Sequence, residues 1–367
     1  MENPRFLTEQ IITYIGNKRS LLGFIDAAVE IVKKELNQRQ LSTFDVFSGS
    51  GVVSRYLKQH SHTLYCNDLE GYAKTISTCY LTNIVDIDQA ELEQWHLYLL
   101  NNLTDDKLVS DGFIRRLYSP IDDLNIRENE RVFFTARNAM YIDTARQLIE
   151  TIPEPYKTLF LGPLLYEAST KNNTSGVFKG FYKNSMTKRG QFGGNGQHAL
   201  SRILSDIEIK KPILSNYNCT VHIFQGDSNA ICKDIPLVDL AYIDPPYNQH
   251  PYGSNYFMLN LINEYVEPSN ISKVSGIPTN WNKSDYNIRA KALNSLESLC
   301  TNLKARYILI SFNSEGFISY NDMVAMLNQF GNVRTFDHKY NVFRGCRNLR
   351  DRNTHVMEHL FLLEKKV

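Results

Sequence analysis

Asp244, Pro245, Pro246 and Tyr247 close an apolar run that ends in Tyr242 and Ile243. An acceptor, two stiff prolines and an aromatic in that order suit methyl transfer to an exocyclic amine on a flat base. Such an amine, on adenine for example, is a poor nucleophile because its lone pair is delocalised into the ring, so a site must draw the nitrogen toward tetrahedral geometry. Asp244 would accept one amino hydrogen and the Pro245 carbonyl the other. Proline fixes φ and removes a backbone donor, which helps to hold that carbonyl still, and Tyr247 offers a ring for the base to stack on. Positioning would then do most of the chemistry. Taken alone, the tetrapeptide reads equally well as a proline turn that ends a strand.

The elements that must position it lie at both ends of the chain. Residues 43–47 read as a short buried strand that runs into Ser48, Gly49, Ser50 and Gly51, followed by an amphipathic helix over 52–57. Glycines at such a turn let the backbone approach a ligand, and the helix start offers unpaired amides. A second strand, 63–66, ends in Asn67 and Asp68, where an acid is placed to bind the two ribose hydroxyls of a nucleoside cofactor. A nicotinamide-binding unit would look much alike, but the third glycine of the dinucleotide fingerprint is missing.

With both halves in view, the sequence resembles the Dam-like, alpha-group family of N6-adenine DNA methyltransferases. Three blocks carry the resemblance in the family's order: Tyr14 to Lys18, Asp45 to Gly51, and Asp244 to Tyr247. It implies S-adenosylmethionine as methyl donor, with Tyr14, Lys18, Asp45, Phe47, Gly49, Gly51, Asp68 and Asp244 around it. Gln225, Gly226, Asp227 and Ser228 look like the block whose acid, here Asp227, binds the cofactor adenine, although Ser228 stands where the family usually places an aromatic. The catalytic set implied is Asp244, Pro245, Pro246 and Tyr247, with no metal. Lys18 as a lysine at a helix start and Asp68 as a turn former are the plainer readings.

The chain has 367 residues, enough for one large or two modest domains. A net charge of +1 means that any nucleic-acid contact must come from local clustering. Six scattered cysteines with no close pair point to neither a zinc site nor a disulfide framework. Neither a signal peptide nor an apolar run of membrane-span length is evident, so a soluble, cytoplasmic protein is expected.

Along the chain, helices are predicted at 21–36, 90–101, 129–150 and 155–168, and strands at 220–224, 238–243 and 307–312 with helices at 256–265 and 290–303 between. Strands at 333–340 and 355–363 flank a basic turn, 344–352, as a closing hairpin. The expected architecture is α/β: a Rossmann-like methyltransferase sheet, mostly parallel, with that antiparallel hairpin. Residues 1–71 and 218–367 would form the catalytic domain, and 72–217 a mainly helical inserted target-recognition domain.

No acidic residue occurs between Glu167 and Asp206, while Lys171, Lys179, Lys183, Lys188, Arg189 and Arg202 do. Phe178, Phe181, Tyr182 and Phe192 interleave there with glycines, which predicts a basic hairpin or loop able to follow a groove of double-stranded DNA. Asn172, Asn184, Lys188 and Arg189 are the side chains expected to reach base edges. A solvated surface loop is the plainer reading. Lys339, Arg344, Arg347, Arg350 and Arg352 form a second cluster, expected either to clamp the backbone or to be a charged turn.

The function expected is methyl transfer to a flipped adenine in duplex DNA, as the modification enzyme of a restriction-modification system or as an orphan methylase. A cognate restriction endonuclease acting separately would be the partner in the first case, and a monomer or weak dimer the state. Rivals are the same chemistry on RNA adenine, cytosine N4 or a glutamine side chain, a DNA-binding protein with a vestigial site, and, disfavoured, a nicotinamide oxidoreductase.

Overall fold

The computed structural model describes residues 2–194, 196–341 and 355–366. Helix α1 (Leu22–Glu35) leads into β1 (Leu41–Asp45), α2 (Val52–Lys58), β2 (Ser61–Asp68) and α3 (Gly71–Leu81). The chain then runs through α4 (Gln89–Asn102), α5 (Phe113–Tyr118), α6 (Ala136–Glu150), α7 (Tyr156–Thr170) and α8 (Leu200–Leu204) without a strand. Alternation resumes with β3 (Thr220–Gln225), α9 (Ser228–Ile231), β4 (Val238–Ile243), α10 (Tyr252–Asn255), α11 (Phe257–Glu264) and α12 (Arg289–Asn302). It closes with β5 (Ala305–Asn313), α13 (Tyr320–Leu327), β6 (Gly331–Asn341) and β7 (His355–Lys365).

The strands form one seven-stranded sheet in the order β3-β2-β1-β4-β5-β7-β6. The first five are parallel to one another, and β7 pairs antiparallel with β5 and β6. This is the mostly parallel Rossmann-like sheet with a closing antiparallel hairpin expected from the sequence. Every residue of β4 is buried, as a central strand covered on both faces requires. One face packs on Ile25, Ala28, Val29 and Val32 of α1 together with α2; the other packs on α12 and α13 through Leu296, Leu299, Met323 and Leu327. The chain leaves β1 toward β2 and β3 on one side and returns to β4 and β5 on the other. That reversal opens a crevice at the carboxyl ends of β1 and β4.

A third apolar cluster belongs to the helices after β2. It joins Tyr72 and Ile76 of α3, Ile142 and Ile149 of α6 and Leu164 of α7 to Phe257, Met258 and Ile262 of α11. The helical stretch therefore shares its core with a helix that follows β4.

Local differences from the sequence reading have physical reasons. The helix predicted to begin at 129 begins at Ala136: Asn129 has φ +71°, Val132, Phe133 and Phe134 are buried outside any helix, and the Thr135 side chain caps the first turn by accepting from Asn138 N. β1 ends at Asp45, so Val46 and Phe47 belong to the loop above the sheet. The turn 344–352, with Arg344, Arg347, Arg350 and Arg352 of the second basic cluster, lies outside the described residues. Among the described residues no helix is long and apolar enough to cross a membrane.

Candidate functional site

Asp45 ends β1, Asp68 ends β2 and Asp244 follows β4 directly, so parallel register brings three carboxylates to one edge of the sheet. The loops above stay zipped together: Val46 N donates to Tyr242 O, Ser48 N to Asn67 O and Gly226 N to Asp68 O. Asn67 Nδ2 further donates to Val46 O and Gly226 O. A cleft open to solvent lies there, lined by Tyr14, Lys18, Asp45, Phe47, Gly49, Asp68, Asp227, Asp244 and Pro246 among others.

The N-terminal segment reaches this cleft because α2 grips it. Arg55, buried and lying 3.7 Å from the Tyr80 ring centroid, donates to the carbonyls of Phe6, Glu9 and Gln10. Further along, Ile15 N donates to Tyr256 Oη and Tyr252 Oη donates to Ile15 O. Tyr14 is thereby stacked on Tyr252 and Tyr256, with ring centroids 4.9 and 4.6 Å away. Gly49 has φ +49°, and a Cβ there would sit 3.0 Å from the Tyr14 ring, so glycine is required twice over.

Asp68 binds the glycine loop as well as lining the cleft, since Oδ2 accepts from Gly49 N at 2.7 Å and Oδ1 from Glu70 N at 2.9 Å. Burial raises its pKa. Asp45 accepts from Ser54 Oγ at 2.5 Å through Oδ2, while Oδ1 is buried and unpaired among the described residues. Burial, reinforced by Asp244 and Asp68 against the Ser54 bond, pushes its carboxyl up to about 7. Asp227 also lines the cleft and caps α9 by accepting from Asn229 N and Ala230 N.

Lys18 is buried, and its ammonium lies 3.0 Å from Asp244 Oδ1 and 3.1 Å from Glu358 Oε1. Burial opposes its charge, but Asp244 and Glu358 outweigh burial and raise its pKa well above the ordinary lysine value. Asp244 is pushed up to about 6 by burial, with Lys18 pulling it down and Glu358 pushing it up. Tyr247 sits beside Gly16 and packs edge-on against Phe312 at 6.3 Å, while Pro245 is buried.

Some of the residues named from the sequence take other places; Pro245 and Tyr247 stand beside the cleft and not in its lining. Gly51 is not among the residues lining the cleft: it adopts φ +75° as the residue that turns the chain into α2. Asn172, expected to read bases, is buried, with Nδ2 donating to the carbonyls of Ala168 and Ser169 and Oδ1 accepting from Thr174 Oγ1. That commitment corrects the expectation.

The basic stretch is a short hairpin anchored from within. Lys183 and Gly190 bridge antiparallel, and Lys188 adopts φ +61° at the turn. Asn184 serves that turn, its Oδ1 accepting from Met186 N and Thr187 N. Phe178 is buried against Phe133 and Phe257, and its N donates to Asn255 O of α10. Lys171 pairs with Glu167 at 2.6 Å. Lys179, Lys183, Lys188 and Arg189 remain exposed, and Lys179 Nζ lies 3.4 Å from His250 Nδ1, six residues past Asp244.

Sequence reasoning missed Glu358, Glu70, Tyr252 and the strap residues Asn282, Ser284 and Asn287. Glu70 lines the cleft, accepts from Asn260 Nδ2 and Asn282 Nδ2, and is pushed up to about 7 by burial first. Glu358 carried a signal: it shares strand parity with Val356, Leu360 and Leu362, all buried, so a carboxylate occupies a core-facing position. Elsewhere, Asp26, Glu30 and His60 have metal-ligand spacing, but the Lys33 ammonium already lies 2.6 Å from Glu30 and 3.4 Å from His60.

The arrangement presents acceptors to a polar group beside a cavity rich in carboxylates. Comparison with known proteins points the same way. The family model described as D12 class N6 adenine-specific DNA methyltransferase matches residues 14–326. The chain is 30% identical over 339 residues to the type II methyltransferase M.CviAII of Paramecium bursaria Chlorella virus 1, covering 91% of this chain and 93% of that protein. It is 27% identical over 364 residues to the type II methyltransferase M.NlaIII of Neisseria lactamica, covering 96% and 99%. The modification methylase StsI of Streptococcus sanguinis is 27% identical over 369 residues; the alignment covers 96% of this chain but 52% of StsI, so the chain spans about half of that protein.

Proposed function

The chain belongs to the D12 class of N6 adenine-specific DNA methyltransferases, and on that premise we propose that Asp244, Pro245, Pro246 and Tyr247 receive the target adenine while the cleft beside them holds the methyl donor. The observation that carries this reading is Asp244 itself, tethered through Oδ1 to a buried ammonium at the tip of the central strand and lining the same cleft as Gly49 and Asp68.

S-adenosylmethionine is the methyl donor of this family and supplies an electrophilic methyl on a sulfonium. The residues fit it. Among the described residues, five carboxylates, Asp45, Asp68, Glu70, Asp227 and Asp244, line the cleft against one ammonium, Lys18, which favours a cationic guest. Asp45 keeps a buried oxygen unpaired among those residues, and the glycine at 49 leaves room that a Cβ would take. Tyr14 and Phe47 would flank the donor, Asp68 would take its ribose hydroxyls and Asp227 its adenine.

The protein's own part is to prepare the amine. With Oδ1 tied to Lys18, Asp244 would accept one amino hydrogen through Oδ2, and the Pro245 carbonyl would take the other. Two acceptors in fixed places pull the nitrogen out of conjugation and aim its lone pair at the donor. Above about pH 6 Asp244 is ionised and acceptor-only, as this role needs. Tyr247 would stack on the extruded base, and extrusion from duplex DNA is required because a stacked, paired amine is out of reach.

Residues 72–217 would act as the target-recognition unit, with Lys179, Lys183, Lys188 and Arg189 meeting phosphates or base edges. The docking of Phe178 on α10 supports a position next to the catalytic turn. The relatives' names, type II methyltransferase and modification methylase, support a modification enzyme; a restriction endonuclease acting separately would be its partner, and a monomer or weak dimer its state in solution. Incubation with duplex DNA and methyl-labelled S-adenosylmethionine, followed by digestion to nucleosides, tests the substrate: label should appear in N6-methyldeoxyadenosine. Label in N4-methyldeoxycytidine, or in RNA alone, would overturn it.

A further inference from the structure

Glu358 lies on β7, beyond the residues 14–326 that the family model matches, and its side chain is 0% exposed. A buried carboxylate is costly unless it is paired and hydrogen-bonded. Ser311 Oγ of β5 donates to Glu358 Oε1, a diagonal contact across the antiparallel pair in which Ser311 faces Leu360 and Asn313 faces Glu358. The same Oε1 lies 3.1 Å from Lys18 Nζ, which lies 3.0 Å from Asp244 Oδ1. One ammonium is thus shared by two carboxylates. Asp244 is 20% exposed at the cleft, and Glu358 is sealed from solvent.

With Asp244 alone, Lys18 would form a neutral pair and withdraw charge from the acceptor that meets the amine. A second carboxylate divides that ammonium's attraction, so that Lys18 is not given to Asp244 alone. We propose that Glu358 is a positioning residue for methyl transfer, acting through Lys18 to fix Asp244 Oδ1 and to keep Oδ2 a strong acceptor for the adenine amino group. The inference rests on the reading of Asp244 given above and extends it to a strand two positions away in the sheet.

The electrostatic consequence has a sign. Asp244 is faced by Lys18 and Glu358, by Tyr242 and Tyr247 of its own segment, by Tyr252 of α10 and by Asp45 of β1. Replacing Glu358 by glutamine removes a repelling charge from Asp244 and leaves Lys18 to it alone. The acidic limb of the rate profile should therefore move to lower pH even as the plateau falls. A purely structural defect would lower the rate without that shift.

The test is Glu358→Gln in the full chain, measured by single-turnover methyl transfer against pH, by the KM for DNA and by thermal melting. The plateau rate should fall about tenfold, the KM for DNA should stay within about threefold, and the limb should move down by roughly half a unit or more. An unchanged plateau, or a fall with the limb unmoved or raised, would overturn the inference. Should that variant fail to fold, Glu358→Asp keeps the charge and shortens its reach: a lower rate at unchanged KM is expected, and a wild-type rate would overturn it. Asp244→Ala run alongside separates the two claims. If it is inactive while Glu358→Gln is unaffected, only the present inference falls; if it turns over normally, the reading of the site falls first.

Discussion

At the scale of single residues, Asp45, Asp68, Glu70 and Asp244 are cleft carboxylates that burial makes reluctant to ionise. Asp45 shows this most plainly, with its carboxyl raised to about 7 and one oxygen unpaired among the described residues. Its folded pKa lies above its unfolded one, so the native state binds more protons, and stability falls as pH rises from about 4 through about 7. Asp45→Asn, which keeps the shape and removes that charge, should raise the melting temperature of the ligand-free protein at pH 8 and change it little at pH 4; the difference is on the order of a few kcal/mol. Differential scanning calorimetry at the two pH values checks this, and equal effects at both would contradict it. Lys18 supplies a companion prediction: Lys18→Met removes the cation that holds Asp244 down, so the acidic limb of the rate that Asp244 sets should move up. Tyr14, Asp68 and Asp244 were legible because local motifs mark them. Glu358 was legible only as a carboxylate at a core-facing strand position; nothing local announces that a strand near the far end of the chain will reach a lysine at residue 18.

Among elements, the basic hairpin is the one proposed to meet DNA. Lys183, Lys188 and Arg189 project from a hairpin whose base is fastened by Phe178 in an apolar cluster. Their triple replacement by glutamine should weaken DNA binding and reduce the salt dependence, by about 0.9 in the log-log slope for each phosphate that is no longer neutralised. The affinity for S-adenosylmethionine should stay as it is. Titrations at several salt concentrations measure this, and an unaltered slope would remove the hairpin from the interface. The sequence reading located this element by charge but misjudged its interior, taking Asn172 as a reader of bases. Composition shows that a stretch is basic; it does not show which side chains fold back to hold it. β4, by contrast, was read to the residue, because six buried positions ending at a double proline leave little choice.

For the whole molecule, the net charge of +1 says little about DNA, since charge is segregated between a carboxylate-rich cleft and a basic hairpin. The parallel order and the closing hairpin followed from alternating patterns. The shared core did not, because the apolar faces of α3, α6 and α7 look self-sufficient until α11 is seen to join the same cluster. Deleting 72–217 should therefore leave α11 with an exposed apolar face and yield an insoluble remainder, and the intact chain should unfold in one transition followed alike by circular dichroism and fluorescence. Two separated transitions would mean that the helical unit is an independent domain. The central claim remains that an acceptor at the tip of the middle strand makes the adenine amine reactive. Its most direct test is single-turnover methyl transfer by Asp244→Ala on pre-bound duplex DNA. The rate should fall by at least about a thousandfold with DNA affinity nearly unchanged, and a rate close to wild type would contradict the account.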